Sequence, residues 1–365
     1  MKRATQKEVA EACGVSRMAV ALVLGTSAKR PGAEKRVSAA KREKIIRVAE
    51  ELGYRPNRSA QLMRGASSGL IGYIKSLSLH PSQIKLARFV SDAVAAGGEH
   101  KLLTAEVVSD RTELAEELDM LLDLRVEGLI LQGAGPIAAK TDPGLFDRVR
   151  AAGVPVVMIG GPPQKIFPMV SFDYAQGMRD LVGHLVALGC RRLAHASLLP
   201  EDGTDEPRLW ANQARLKGFR EGAAAAGLKD AEALVWRTPK IRSPSEDYDL
   251  GHETGLRLAG EHSLPDAVLA HNDAFAVGML GAFRRNGIRV PEDIRVTGFD
   301  DAAVGRFNGT PLTTVRLPLK AVSRRAVEIL RAQIEGEADS DYSRNEQIQG
   351  ELLVRESTSG ATSPS

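Results

Sequence analysis

Cysteine is scarce in this chain: two in 365 residues, Cys13 and Cys190. They make neither a CxxC pair nor a disulfide framework, which fits a reducing cytoplasm and two inert core thiols. Long apolar runs are missing too. The basic N-terminus turns at once into an amphipathic, acid-containing stretch with no signal-length apolar run, and no later 18-residue apolar span follows, so export and membrane insertion are not expected. Catalytic signatures are missing as well. There is no HExxH, GxxxxGK[ST] or GxSxG, and the seven histidines, His80, His184, His195 and His271 among them, show no metal-ligand spacing. No cofactor is therefore expected. Without an internal repeat or a C-terminal leucine heptad, nothing argues for a solenoid or a coiled-coil tetramerisation tail.

Charge is present and unevenly placed. The net charge of +3 conceals a basic head: residues 1–67 carry 15 Lys and Arg against 6 Asp and Glu, a net of +9, and the remainder carries 34 against 40, a net of −6. A basic head on an acidic body points to a nucleic-acid contact made by the head alone.

Within that head, Thr5-Gln6-Lys7-Glu8 has capping-box spacing, Val9, Ala10 and Cys13 mark a buried face, and Gly14 stops the helix. Ser16 can cap a second helix whose Val20 and Val23 face inward, giving two short helices about a Gly turn. A third helix, from Ser38 to Leu52, is expected to close the core through Ile45, Val48, Ala49 and Leu52. The second helix can enter a major groove, where Arg17 offers a bidentate contact to guanine and Met18 an apolar contact to a thymine methyl. Lys2, Arg3, Lys29, Arg30, Lys35, Arg36, Lys41 and Arg42 are the phosphate-neutralising candidates. In GYRPNRSAQLMRG, Pro56 fixes a joint and Asn57 caps a helix through Arg64 that is too short to be stable alone. Met63 suits an apolar wedge in a minor groove, flanked by Arg58 and Arg64 on phosphates. The alternative is a flexible linker with Leu62 and Met63 packed on the body.

From Gly69 the pattern becomes α/β. Strands are expected at GLIGYIKSL, VEGLILQG, VPVVMIGG, RRLAHASLL, AVLAHND and RVTGFD, and helices at Leu86–Ala96, Arg111–Leu124 and Gly177–Leu188. Two lobes with a crevice between them suit this length. Residues 25–36, 200–211 and 239–249 read as loops, and STSGATSPS as a disordered tail. Asp273 follows the strand AVLAH at the carboxyl end where open α/β sheets bind ligands; an Asx helix cap by Asn272 or Asp273 is the alternative reading. Trp210 can stack on a sugar face or a base, or serve packing alone.

KEVAEACGVS, RVSAAKREKIIRVAEELGYRPN, HNDAFAVGMLGAFRRNGIRVPEDIRVTGFDD, PLTTVRLP and ELLVRESTS, in this order and spacing, resemble the LacI/GalR family of bacterial transcription regulators. The resemblance implies an α/β fold with an all-helical helix-turn-helix head (1–56), a hinge helix (57–68) and a bilobal, periplasmic-binding-protein-like (type I) body of two parallel-sheet subdomains. The first subdomain would hold 69–171 and 293–318, the second 172–292 and 319–355, with a tail at 356–365. It further implies a cytoplasmic homodimeric repressor on near-palindromic double-stranded operator DNA, with paired hinge helices in the minor groove. A small effector would sit between the lobes, a sugar or sugar derivative before a nucleoside. Arg17, Met18 and Leu22 fall at base-reading positions, Ala60 at the hinge alanine and Met63 at the intercalating leucine. Ala19, Ala21 and Gln61 depart from the common Thr, Ser and Arg, and the loop before Val37 is longer than usual. Arg215 and Asp173 match frequent effector-pocket positions, as does Asp273. The rival is a bilobal sugar-binding protein or enzyme with no DNA role.

Overall fold

The computed structural model describes residues 4–24, 37–55, 67–77, 80–108, 111–200, 209–228, 235–238, 246–337 and 345–359. The chain divides into two compact units, Met1–Ser68 and Gly69–Ser365.

The first unit contains α1 (Gln6–Cys13), α2 (Arg17–Leu24) and α3 (Ala39–Glu51). Its N-terminal helix starts where the sequence specifies: the Thr5 amide donates to Glu8 Oε2 at 2.6 Å and the Glu8 amide to Thr5 Oγ1 at 3.3 Å. Two otherwise orphaned amides are thereby satisfied reciprocally. Gly14, at φ +65°, takes the left-handed turn that ends α1, and Ser16 Oγ accepts the Ala19 amide at 3.1 Å to open α2. Val9, Ala10, Cys13, Val20, Val23, Val37, Ile45 and Ala49 form one core. Leu52 does not close it, being 43 % exposed. Tyr54, whose amide donates to Ala49 O at 2.8 Å, folds back on the core instead.

In the second unit the chain runs β1 (Leu70–Ser76), α4 (Pro81–Ala96), β2 (Lys101–Val107), α5 (Arg111–Asp123), β3 (Gly128–Gln132), α6 (Ala134–Thr141), α7 (Asp147–Ala151), β4 (Val156–Ile159) and β5 (Met169–Phe172). It continues through α8 (Tyr174–Ala187), β6 (Leu193–Pro200), α9 (Trp210–Ala225), β7 (Val235–Thr238), α10 (Asp247–Ala259), β8 (Ala267–Ala270), α11 (Asp273–Arg285), β9 (Arg295–Thr297), α12 (Ala303–Arg306) and β10 (Thr314–Arg316). The last elements are α13 (Leu319–Ile334), β11 (Asn345–Ile348), β12 (Glu351–Leu353) and α14 (Glu356–Ser359). A six-stranded parallel sheet, ordered β11-β5-β4-β3-β1-β2, builds one lobe. The second lobe has a four-stranded parallel sheet, β7-β6-β8-β9, and an antiparallel ribbon joins β10 to β12.

The apolar runs explain the layers. Every residue of β3 and β4 is buried: Leu129, Leu131, Val156 and Met158 face one helix layer, Ile130, Val157 and Ile159 the other. A strand covered on both faces has no polar side to show, which is why these segments lack alternation. α10 and α11 approach closely through glycines: a Cβ on Gly251 would stand 2.0 Å from Phe275 O, and one on Gly278 2.1 Å from Tyr248 O.

Two further sequence expectations are corrected. Segments 293–318 and 319–355 exchange lobes over most of their length: β9 pairs with β8 in the second lobe, and β11 pairs with β5 in the first, with α13 lying against β3, β4 and β5. Strand character is local, but sheet membership is fixed by long-range pairing. Residues 356–359, expected as part of a disordered tail, are instead folded as α14. Ser357 and Thr358 are buried, and Ser357 Oγ donates to Val296 O at 2.6 Å.

Gly251→Ala should drive α10 and α11 apart and lower stability by about 1–3 kcal/mol, as overpacking does. A urea titration reads this directly, and an unchanged midpoint would contradict the close approach.

Candidate functional site

The first candidate surface is the N-terminal end of α2. Val20 and Val23 hold the helix to the head core, so Ser16, Arg17 and Met18 remain exposed, Met18 by 67 %. Thr5 is exposed and engaged in its capping box. Leu22 lies otherwise than its base-reading position implies: it is half-buried against the head core. Lys29, Arg30, Arg36, Asn57, Arg58, Ala60, Met63 and Arg64 lie outside the described residues.

The second is a cavity of about 510 Å3 between the lobes of the body, at the carboxyl ends of the strands. From the first lobe, His80, Gln83, Gln132 and Phe172 line it; from the second, Tyr174, Trp210, Arg215, Asp247, His271, Asn272 and Asp300. Arg215 is 5 % exposed. Its guanidinium lies 4.3 Å from the Tyr174 ring centroid and 4.6 Å from that of Phe299, so two aromatic faces share its charge. Trp210 meets Tyr174 edge-on at 5.4 Å. Burial pushes the Tyr174 hydroxyl up to about 12, keeping it neutral.

Asp300 answers the arginine, with Oδ1 at 3.5 Å from Arg215 Nη2 and Oδ2 at 3.5 Å from His80 Nε2 of the other lobe. Its backbone is strained: Asp300 and Asp301 have φ of 102° and 53°, values that side chains adopt only under constraint. The constraint is visible. Asp301 accepts from Arg316 Nε at 2.8 Å and Arg355 Nη2 at 2.6 Å, and the Asp300 amide donates to Val315 O at 2.8 Å.

Asp273 belongs to this support and not to the cavity wall, correcting its expected role. Its Oδ2 accepts the Ala302 amide at 2.6 Å and its Oδ1 the Thr314 hydroxyl at 2.7 Å, and it is 1 % exposed. Asn272 takes the cap, accepting the Phe275 amide at 2.8 Å. Asp173 is likewise absent from the wall, because it caps α8 by accepting the Gln176 amide at 2.9 Å. Arg215 and Trp210 do reach the cavity.

Several wall residues were not anticipated. Asp300 follows β9 as Asp273 follows β8, so the strand-end argument applied to one serves for the other. Asp247 and His80 lie in segments with no such signature. The wall retains unused polar capacity: Arg215 Nε, Asp247 Oδ1 and His271 Nδ1 are buried without a hydrogen-bond partner. Burial, then the nearby Arg215 charge, holds His271 well below its usual range and so neutral. Among the described residues no group of three or more His, Cys, Asp or Glu is placed to hold a metal ion, and no helix is long and apolar enough to cross a membrane.

Comparison with known proteins matches both units. Residues 5–57 fit the model of bacterial regulatory proteins of the lacI family, and residues 182–358 that of the periplasmic binding protein-like domain. The HTH-type transcriptional regulator MalR of Streptomyces coelicolor is 31 % identical over 360 residues, covering 97 % of this chain and 96 % of its own. Among solved structures, the lac repressor dimer bound to operator and the anti-inducer ONPF is similar with a TM-score of 0.80 and 26 % identity, over 98 % of this chain and 99 % of that one. The complex of the transcriptional regulator CelR with cellobiose is similar with a TM-score of 0.65 and 28 % identity, over 97 % and 100 %.

Burial, reinforced by Asp300, pushes the Asp273 carboxyl up to about 8. Between the ordinary value of about 4 and that value the folded chain holds a proton that the unfolded chain has released, so this group's contribution to stability falls as pH rises across that window. Denaturant midpoints taken near pH 5 and near pH 8.5 should therefore fall more for the wild type than for Asp273→Asn; equal falls would contradict the assignment.

Proposed function

The chain belongs to the lacI family of bacterial regulatory proteins, and on that premise we propose that it is a cytoplasmic, homodimeric transcriptional repressor whose body binds a small polar effector without turning it over. The single observation that carries the DNA half is α2: its apolar side is committed to the head core, which leaves Arg17 and Met18 pointing outward at the helix start. Arg17 reads a guanine edge and Met18 a thymine methyl, with two heads on a near-palindromic site. Thr5, Ser16, Lys29, Arg30 and Arg36 supply sugar-phosphate contacts, which set register and salt dependence but not sequence. Leu22, packed on the core, has at most an edge for an apolar contact.

In this reading the joint at 57–68 is a hinge helix capped by Asn57. Ala60 allows close approach of its partner copy, Met63 enters the minor groove, and Arg58 and Arg64 hold the flanking phosphates. The solved lac repressor dimer on operator supports the assembly by likeness.

For the body, the supporting observation is a cavity of small-molecule size with a stacked arginine and unused polar atoms. Arg215 and Trp210 contact the effector, Asp300, Asp247 and His271 complete the site, and Asp273 acts from behind by holding the Asp300 turn. A sugar fits this mixture of aromatic faces and mixed donors and acceptors better than a nucleoside. The CelR structure holds cellobiose, which favours the same class.

Selection from random duplex DNA at physiological salt should return a near-palindromic site. On it, Arg17→Ala should relax preference at one position per half-site, a loss of about 1–3 kcal/mol of discrimination if the contact is bidentate. Equal weakening on every sequence would make Arg17 a phosphate contact, and no selected site at all would remove the operator reading.

A further inference from the structure

The wall of the interlobe cavity contains one carboxylate whose hydrogen bonding is half complete. Asp247 opens α10 and is 3 % exposed. Asn272 Nδ2 donates to its Oδ2 at 2.6 Å. The direction of that bond is fixed, because Asn272 Oδ1 is occupied as the cap of α11 and only the amino group remains to face Asp247. The second oxygen, Oδ1, is buried with no partner. An unpaired carboxylate oxygen in such a place is costly unless something brings it a donor.

The other charges around it do not invite an anion. Arg215 is the cation of the described wall; its Nη2 is paired with Asp300 and the neighbouring rings of Tyr174 and Phe299 lie against it, while its Nε has no partner. His80 Nδ1 accepts the Ser82 amide at 3.4 Å, which leaves Nε2 as the side of the ring that meets Asp300. Two carboxyl groups, Asp247 and Asp300, thus share the described wall with a single guanidinium. Burial raises the Asp247 carboxyl above the ordinary range, and a carboxyl group adds no positive charge in any state.

We propose that Asp247 makes this cavity select an uncharged carbohydrate, whose hydroxyls donate to Oδ1, and reject the phosphorylated and carboxylated forms of the same sugar. The proposal rests on the reading of the cavity as an effector site and narrows it. A hydroxyl gives Oδ1 the proton it lacks and can accept from neighbouring donors at once, whereas phosphate and carboxylate oxygens only accept. An acceptor-only anion facing Oδ1 leaves that atom unsatisfied, and in the same cavity it meets like-charge repulsion from the Asp300 carboxylate.

Asp247→Asn is the informative substitution. Its carbonyl will turn to Asn272, the group that donates there, so its amino group turns to the cavity and replaces an acceptor by a donor of nearly the same shape.

Calorimetry on the full-length wild type tests the proposal with matched pairs: maltose and maltose 6′-phosphate, cellobiose and cellobiose 6′-phosphate, glucose, glucose 6-phosphate and glucuronate. A neutral member should bind, and its charged counterpart at least about tenfold more weakly. Asp247→Asn should narrow that ratio by weakening the neutral sugar and strengthening its phosphate, with a thermal melt confirming that the variant is folded. A charged member that binds as tightly as its neutral partner overturns the selectivity while leaving the effector site in place. No binding by any member overturns both the proposal and the carbohydrate reading on which it rests. Should Asp247→Asn fail to fold, Asp247→Ser takes its place, and a folded variant that keeps the wild-type ratio overturns the role of Asp247.

Discussion

A guanidinium withdrawn from water needs an answering charge, and the body of this regulator is arranged around the one at Arg215. The adjacent rings of Tyr174 and Phe299 lie against it and Asp300 meets it through Nη2. Asp300 reaches that position only on a left-handed backbone, a conformation that costs of order 1–3 kcal/mol and persists where the surroundings over-determine it. The surroundings here are Asp273 beneath the turn, the Thr314 hydroxyl, and the arginines that hold Asp301. Because Asp300 also meets His80 across the cavity, a ligand that competes for Arg215 acts on a contact joining the two lobes.

The head works by different physics. It is small, its core among the described residues is eight buried side chains, and its helices start and stop on local signals: a capping box, a left-handed glycine and a serine cap. Its basic surplus supplies long-range attraction to DNA, while the acidic remainder of the chain adds none. In the proposed function, recognition and sensing are thus divided between a short module built by local rules and a large one built by long-range pairing.

That division decides what the sequence made legible. Thr5, Gly14 and Ser16 act within a few residues of themselves, so the head could be read from spacing alone, and strands such as GLILQ and VVMI announce themselves by unbroken apolarity. Sheet membership could not be read this way: β9 and β11 are both short strands after helices, and only their partners tell the lobes apart. The site was half legible. Arg215, a family-pattern position, and Trp210, read only as a stacking or packing aromatic, line the cavity, but Asp173 and Asp273 spend their carboxylates on a helix cap and a buried turn. A sequence shows that an aspartate follows a strand, and it does not show which way the side chain faces. Asp247 was beyond reach for the same reason, since its role depends on Asn272, 25 residues away.

The central claim is that occupancy of the cavity, sensed through Arg215, changes how the head holds DNA. Fluorescence anisotropy on the selected operator, with and without a saturating amount of the sugar that binds most tightly, measures this for wild type and for Arg215→Ala. The account predicts that the ligand shifts wild-type operator affinity by roughly 5- to 150-fold, the usual range of such coupling, and leaves the variant's affinity unmoved. A wild type indifferent to bound ligand, or a variant that responds as fully as the wild type, would contradict it.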